Sequence, residues 1–196
     1  SRLRLAIQNA KAANMPKTNI ENAIKKASSK DAADFKEVVY EGYAPHGIAV
    51  LVETATDNTN RTVSSVRLVF SKYGGSLGTS GSVDYMFTRK CVFKISGEGM
   101  DLEELELDLI DYGLEEVKEP DEEGLVELYA AFEDYGNLQK GLEEKGIEVK
   151  ESELVRIPGH TTTLSDEQVE EVIKLIDKME EDDDVLNVFH NMNMDD

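Results

Sequence analysis

Residues 38–87, VVYEGYAPHGIAVLVETATDNTNRTVSSVRLVFSKYGGSLGTSGSVDYMF, leave few ways to fold. Residues 48–52 form an apolar, β-branched run with the length of a buried strand. Asp57, Asn58 and Thr59 then offer N-cap side chains to a following helix. In that helix Val63, Val66, Phe70 and Tyr73 recur at three- and four-residue steps, so one face is apolar. Gly74 and Gly75 end it, because glycine takes the left-handed conformation at a helix C-terminus without a Cβ penalty. Gly78 and Gly81 punctuate a hairpin turn, and residues 83–87 read as the next strand. No catalytic constellation is visible in the stretch.

Two α+β domains follow from the remaining pattern. From Cys91 the order is strand (91–95), helix (102–110), strand (114–118), strand (125–130), helix (132–144) and strand (147–155). That β-α-β-β-α-β series is the ferredoxin-like, split βαβ pattern. The outer domain supplies strand, helix, strand, strand over residues 48–87, with residues 38–40 as an extra strand extending its sheet. Its last helix and strand come at the far end of the chain. Ser165 caps a helix over 167–180, with Val169, Val172, Ile173, Ile176 and Met179 on one face, and residues 185–190 form the strand. The expected fold is therefore α+β: a short N-terminal helical domain plus two ferredoxin-like (βαββαβ) domains, one inserted in the other. The expected boundaries are 1–35 for a basic helical domain, 36–89 plus 157–196 for a discontinuous α+β domain, and 90–156 for an inserted acidic domain. In the first of these, Leu3, Ile7 and Ala10 form one apolar stripe and Ile20, Ala23, Ile24 and Ala27 a second. Two helices this short must pack on something to be stable.

Charge is partitioned along the chain, which carries −20 overall. Residues 1–35 hold seven Lys or Arg and three acids, and residues 36–89 five of each. Residues 90–156 hold seven bases against 21 acids, and residues 157–196 two against 12. A polyanion is attracted only by the N-terminal end and repelled by the rest. The acidic half is either a solvated surface or a docking face for a basic protein. No apolar run approaches the roughly 20 residues that cross a bilayer, so no membrane partner is expected. The single Cys91 forms no internal disulfide and suits a reducing compartment. Its neighbours Val92 and Phe93 mark it as a small buried hydrophobe.

Chemistry of other kinds finds little support. His46, His160 and His190 have no ligand spacing, and neither HxxxH nor CxxC occurs, so no metal or cofactor is expected. No GxSxG marks a nucleophilic serine. The glycine run 74–81 lacks the Gly-Lys-Ser/Thr ending of a phosphate loop and follows a helix instead of opening one. What remains is basic. Arg4, Lys11, Lys17, Lys25 and Lys26 lie on the N-terminal helices. Arg61 and Lys72, eleven residues apart, share a face of the 60–73 helix, with Arg67 on its flank and Ser64 and Ser71 as nearby hydroxyls. Arg89 follows the expected hairpin. Such residues contact phosphates, although an ordinary solvated helix face carries the same charges. No recognition-helix signature accompanies them.

Several long motifs in order make the chain resemble the YebC family of probable transcriptional regulators, to which the mitochondrial translational activator of cytochrome c oxidase subunit one is related. They are NMPKTNIENAIKKA (14–27), YEGY (40–43), DNTNRTV (57–63), FSKYGGSLGTSGSV (70–83) and DDVLNVFHN (183–191). The loop after YEGY departs from the family, with Ala44 and His46 where glycine is usual. Family members carry a basic segment and a first helix ahead of Ser1, and there is no initiator Met, so an N-terminally shortened form is expected. The resemblance implies a non-enzymatic, cytoplasmic regulator of gene expression that binds DNA, or acts in translation on rRNA or mRNA at the ribosome. The acidic domain would then meet the ribosome or another basic protein. The alternative is a small-molecule or protein-partner sensing module built on ferredoxin-like domains, with the 43–48 loop as its site. That alternative rests on fold analogy alone.

Overall fold

The structure, a computed structural model, describes residues 35–194. Of these, residues 35–87 and 158–194 belong to one compact unit, and Thr88–Ile157 make another. In chain order the elements are β1 (Lys36–Tyr43), β2 (Ala49–Thr56), α1 (Thr59–Lys72), β3 (Ser76–Leu77), β4 (Phe87–Ser96), α2 (Leu102–Leu109), β5 (Leu114–Val117), β6 (Leu125–Ala131), α3 (Tyr135–Glu144), β7 (Val149–Pro158), α4 (Asp166–Glu180) and β8 (Val185–His190). They form an α+β fold with two four-stranded sheets. The expected N-terminal helical domain lies outside the described residues.

The first sheet has the order β3-β1-β2-β8. β1 and β2 run antiparallel in unbroken register from Lys36↔Thr56 to Tyr43↔Ala49. β8 pairs antiparallel with the other side of β2, with one register shift between Glu53 and Thr54. Alternation then sorts the side chains. Val50, Val52, Val185 and Val188 meet the stripes of α1 (Val66, Phe70) and α4 (Val169, Val172, Ile173, Ile176, Met179) in one core. Ala49 and Leu51 point to the opposite face, where they pack with Val83. The side chain of Asn58 caps α1 by accepting from Arg61 N at 3.1 Å. Ser165 and Gln168 close a capping box on α4.

This connectivity differs from the expected βαββαβ order for the outer unit. Residues 38–40 do add to the sheet, as part of β1, which lies between β2 and the two-residue β3. Residues 83–87 do not make a strand of this sheet. Asp84–Met86 is a 3-10 turn, and Ser76–Leu77 takes the edge beside β1. The physical reason is Glu41, which is 5% exposed. Its carboxylate accepts from the backbone N–H groups of Gly81 (2.6 Å), Val83 (2.9 Å) and Asp84 (2.7 Å). Those donors are the ones a strand would have spent on a ladder.

The second sheet, β5-β6-β4-β7, follows the expected series. β6 lies between β4 and β5, antiparallel to both, which splits the βαβ crossover. Cys91, Phe93, Ile95, Val126, Leu128 and Ala130 face Leu105, Leu109, Leu138 and Leu142 of the two helices. Cys91 is fully buried, and burial raises its thiol pKa. α3 starts three residues later than the apolar pattern suggests, because Phe132–Asp134 first makes a 3-10 turn.

Gly42 marks a close approach between β1, β3 and α1. A Cβ there would lie 2.5 Å from Ser76 O and 2.9 Å from the Phe70 ring. Gly42→Ala therefore loses about 1–3 kcal/mol by overpacking. Chemical denaturation checks this, and an unchanged midpoint would show that the β1–β3 edge can move aside.

Candidate nucleic-acid interface

Arg4, Lys11, Lys17, Lys25 and Lys26 fall outside the described residues. The structure places the other four candidates in three different settings.

Arg61 is engaged. Asp184, with a side chain only 3% exposed, takes its guanidinium through Nε at 3.2 Å and Nη2 at 3.0 Å. Nη2 also donates to Asp57 Oδ1 at 3.2 Å. Thr62 Oγ1 adds a 2.7 Å bond to the same Asp184 carboxylate, and Thr56 Oγ1 a weaker one at 3.4 Å. The hydrogen bond to Asp184 raises the Arg61 pKa still further. Near the same carboxylate, Tyr40 is raised by burial and by the charge of Asp184. Arg61 is thus half of an ion pair with a buried acid, while its side chain stays 45% exposed.

Arg67 and Lys72 remain on the outer side of α1. Both are exposed. Arg67 makes no ion pair among the described residues, and Lys72 Nζ stands 5.8 Å from the Tyr73 ring centre. Leu68, 65% exposed, sits beside them in sequence. Ser64 is a poorer contact than its position suggests, because its hydroxyl already donates to Asn60 O at 2.9 Å. Arg89 belongs to the second unit, with its guanidinium carbon 3.7 Å from the centre of the Phe132 ring.

Elsewhere in the second unit the lysines are matched. Lys90 pairs with Glu115, Lys94 with Glu151, Lys118 with Glu116, Lys140 with Glu144, Lys145 with Asp108 and Lys150 with Glu148. The surplus is carboxylate. Some of it is crowded: Glu153 Oε1 is buried without a hydrogen-bond partner. Burial, then the neighbouring Glu151, raises the Glu153 pKa. Among the described residues no group of three His, Cys, Asp or Glu side chains is placed to hold a metal ion. No helix among them is long and apolar enough to cross a membrane.

Sequence reasoning missed Asp184 and Glu41. Asp184 ends the run Glu180 to Asp184, where five consecutive acids look alike. Glu41 sits between Tyr40 and Gly42 in a strand whose alternation places polar side chains outward. Neither carried a sequence signal beyond lying within the YEGY and DDVLNVFHN motifs.

A split α+β protein with a ferredoxin-like insert defines the class. Residues 35–192 match the family described as TACO1/YebC second and third domain, and residues 1–30 match the TACO1/YebC protein N-terminal domain. The chain belongs to the TACO1/YebC family. It is 58% identical to a probable transcriptional regulatory protein of Flavobacterium johnsoniae, over 98% of this chain and 80% of that one. A protein of the same description from Parabacteroides distasonis is 57% identical over 100% of this chain and 80% of its own. A crystal structure of a conserved hypothetical protein from Aquifex aeolicus is similar with a TM-score of 0.72 and 42% identity, covering 98% of this chain and 79% of that one.

Two predictions follow from the electrostatics. Breaking a buried ion pair costs about 3–5 kcal/mol, and Arg61 is 45% exposed, so Arg61→Ala costs about 3 kcal/mol. Arg67→Ala stays within about 0.5 kcal/mol of the parent. Denaturant titrations of both, with Asp184→Asn completing a double-mutant cycle, test the assignment. A coupling near zero between Arg61 and Asp184 rules it out. Glu153 gives a pH signature. A folded-state pKa raised above the unfolded value means that stability falls as pH rises from the ordinary glutamate range through the folded pKa. Glu153→Gln removes that fall. The variant should gain on the parent as pH climbs out of the acid range and keep the gain at neutral pH. Thermal melts across pH that run parallel for the two proteins would contradict it.

Proposed function

We propose that this protein is a non-enzymatic regulator of gene expression that engages nucleic acid through its basic end. The observation that carries the reading is the partition of charge. The excess of Lys and Arg is confined to residues 1–35, while residues 90–156 hold 21 acids against seven bases. A molecule of net charge −20 approaches a polyanion only with that end leading. Arg4, Lys11, Lys17, Lys25 and Lys26 supply the phosphate contacts. The exposed Arg67 and Lys72 extend them along α1, and Arg89 adds a stacked guanidinium. Arg61, paired with Asp184 and Asp57 but still 45% exposed, contributes less than these. The naming of the relatives as probable transcriptional regulatory proteins supports a regulatory role. The acidic insert keeps phosphate away and leaves a surface suited to basic protein, as a ribosome or a polymerase presents.

Binding of this kind is weak on isolated duplex and steeply dependent on salt. If about four phosphates are neutralised, the slope of log K against log salt is about −3.6. Reversing Lys25 and Lys26 to Glu should flatten that slope by about two contacts, whereas reversing Lys140 in the acidic unit leaves it unchanged. A titration against promoter DNA and against ribosomes, each at several salt concentrations, separates the two targets. Binding that ignores salt for both would remove the phosphate-contact reading.

A further inference from the structure

Tyr85 is the most exposed large apolar side chain among the described residues, at 75%. Its neighbours are held. Val83 is fully buried, and Met86 and Phe87 pack against the same small cluster. The Asp84 N–H is fixed on Glu41 at 2.7 Å, and Met86 N donates to Val83 O at 2.9 Å. Met86 O accepts from Gly159 N at 3.0 Å. With Val83 and Met86 turned inward by a 3-10 turn, position 85 must point out, and any polar residue would serve there. A tyrosine in that place leaves a large ring in water, which burial on a ligand would relieve.

We propose that Tyr85 is a stacking platform for an unpaired nucleobase. The inference rests on the nucleic-acid reading above and deepens it. A protein-binding aromatic hot spot sits in a patch of other contacts that exclude water. Around Tyr85 in the chain, Thr79, Ser80, Gly81 and Asp84 are exposed and small or polar, so the exposed part of its own loop is polar. One flat face in a polar loop fits a base, since every base has a π-face and stacking tolerates any sequence. The tethered backbone also means that little conformational freedom is lost when the ring is covered.

The chain has no Trp, so Tyr85→Trp introduces a single indole reporter in the otherwise intact protein. Short oligoadenylate RNA, its DNA counterpart and a blunt duplex are the probes. Single strands should quench the indole at saturation, and the duplex should not. Quenching by RNA and DNA alike, or by RNA alone, supports the stack and tells which sugar backbone the site accepts. Tyr85→Ala should weaken single-strand binding roughly 10- to 100-fold and leave duplex binding and the melting temperature unchanged, while Tyr85→Phe retains full affinity. If Tyr85→Ala binds oligoadenylate as tightly as the parent, or the indole stays bright at saturation, the stack is wrong even though salt-dependent binding persists. If the parent binds none of the probes, the nucleic-acid reading falls and takes this inference with it.

Discussion

Asp184 sits where water cannot reach it, so its charge has to be answered by the protein. Arg61, Thr62 and Thr56 answer it from more than a hundred residues away in sequence. Because Thr56 ends β2, Thr62 lies in the first turns of α1 and Asp184 immediately precedes β8, one carboxylate fixes the meeting point of three elements. The position also suits the helix, whose N-terminal end favours negative charge. The backbone joins in, as Asp184 O accepts from Ala55 N at 2.9 Å. A chain that leaves this unit after Phe87 and returns at Pro158 must pay for closing that loop, but the cost grows only slowly with loop length. The hydrogen bond from Gly159 N to Met86 O shows how close exit and return lie. The DNTNRTV and DDVLNVFHN motifs are therefore two halves of one structural joint.

Glu41 plays the matching part on the other side of the sheet. Three backbone donors from the glycine-rich loop converge on it, and its own carbonyl accepts from Gly78 N at 2.8 Å. A carboxylate that accepts charge-assisted bonds holds a loop more firmly than neutral partners do. Close packing needs the glycines as well: a Cβ on Gly75 would stand 2.2 Å from Tyr43 O. The loop is consequently a shaped part of the sheet's second face, and Val83 is its hydrophobic anchor.

The helices and the elements of the second unit were legible because each signal is local. Asn58 and Ser165 cap the helices they were expected to begin, and α4 runs over nearly the expected residues. The β-α-β-β-α-β order of the second unit follows from periodicity and short turns. What was not legible depends on partners distant in sequence. Residues 83–87 have the apolar alternation of a strand, but only the carboxylate of Glu41 reveals that their donors are already taken. The same holds for residues 38–40, whose pattern gives a strand and not its neighbours. Arg61 shows the limit most clearly. Its helical position relative to Lys72 is correct, and its charge is visible, yet the side chain has turned to an acid 123 residues on.

The matched lysines of the acidic unit narrow where a polyanion can be held. Exposed ion pairs contribute little to stability, so Lys90, Lys94, Lys118, Lys140, Lys145 and Lys150 are not needed to keep the unit folded. Their effect is to leave no surplus of positive charge on it. A phosphate approaching any of them would have to displace a carboxylate while facing the many acids that remain. Arg89 escapes this because an aromatic ring, not an acid, holds it. On α1 the opposite selection has occurred: the cation nearest the helix start is committed to Asp184, and those farther along are open. Folding thus sorts a chain whose central segment is electrically neutral into a paired cation and available ones.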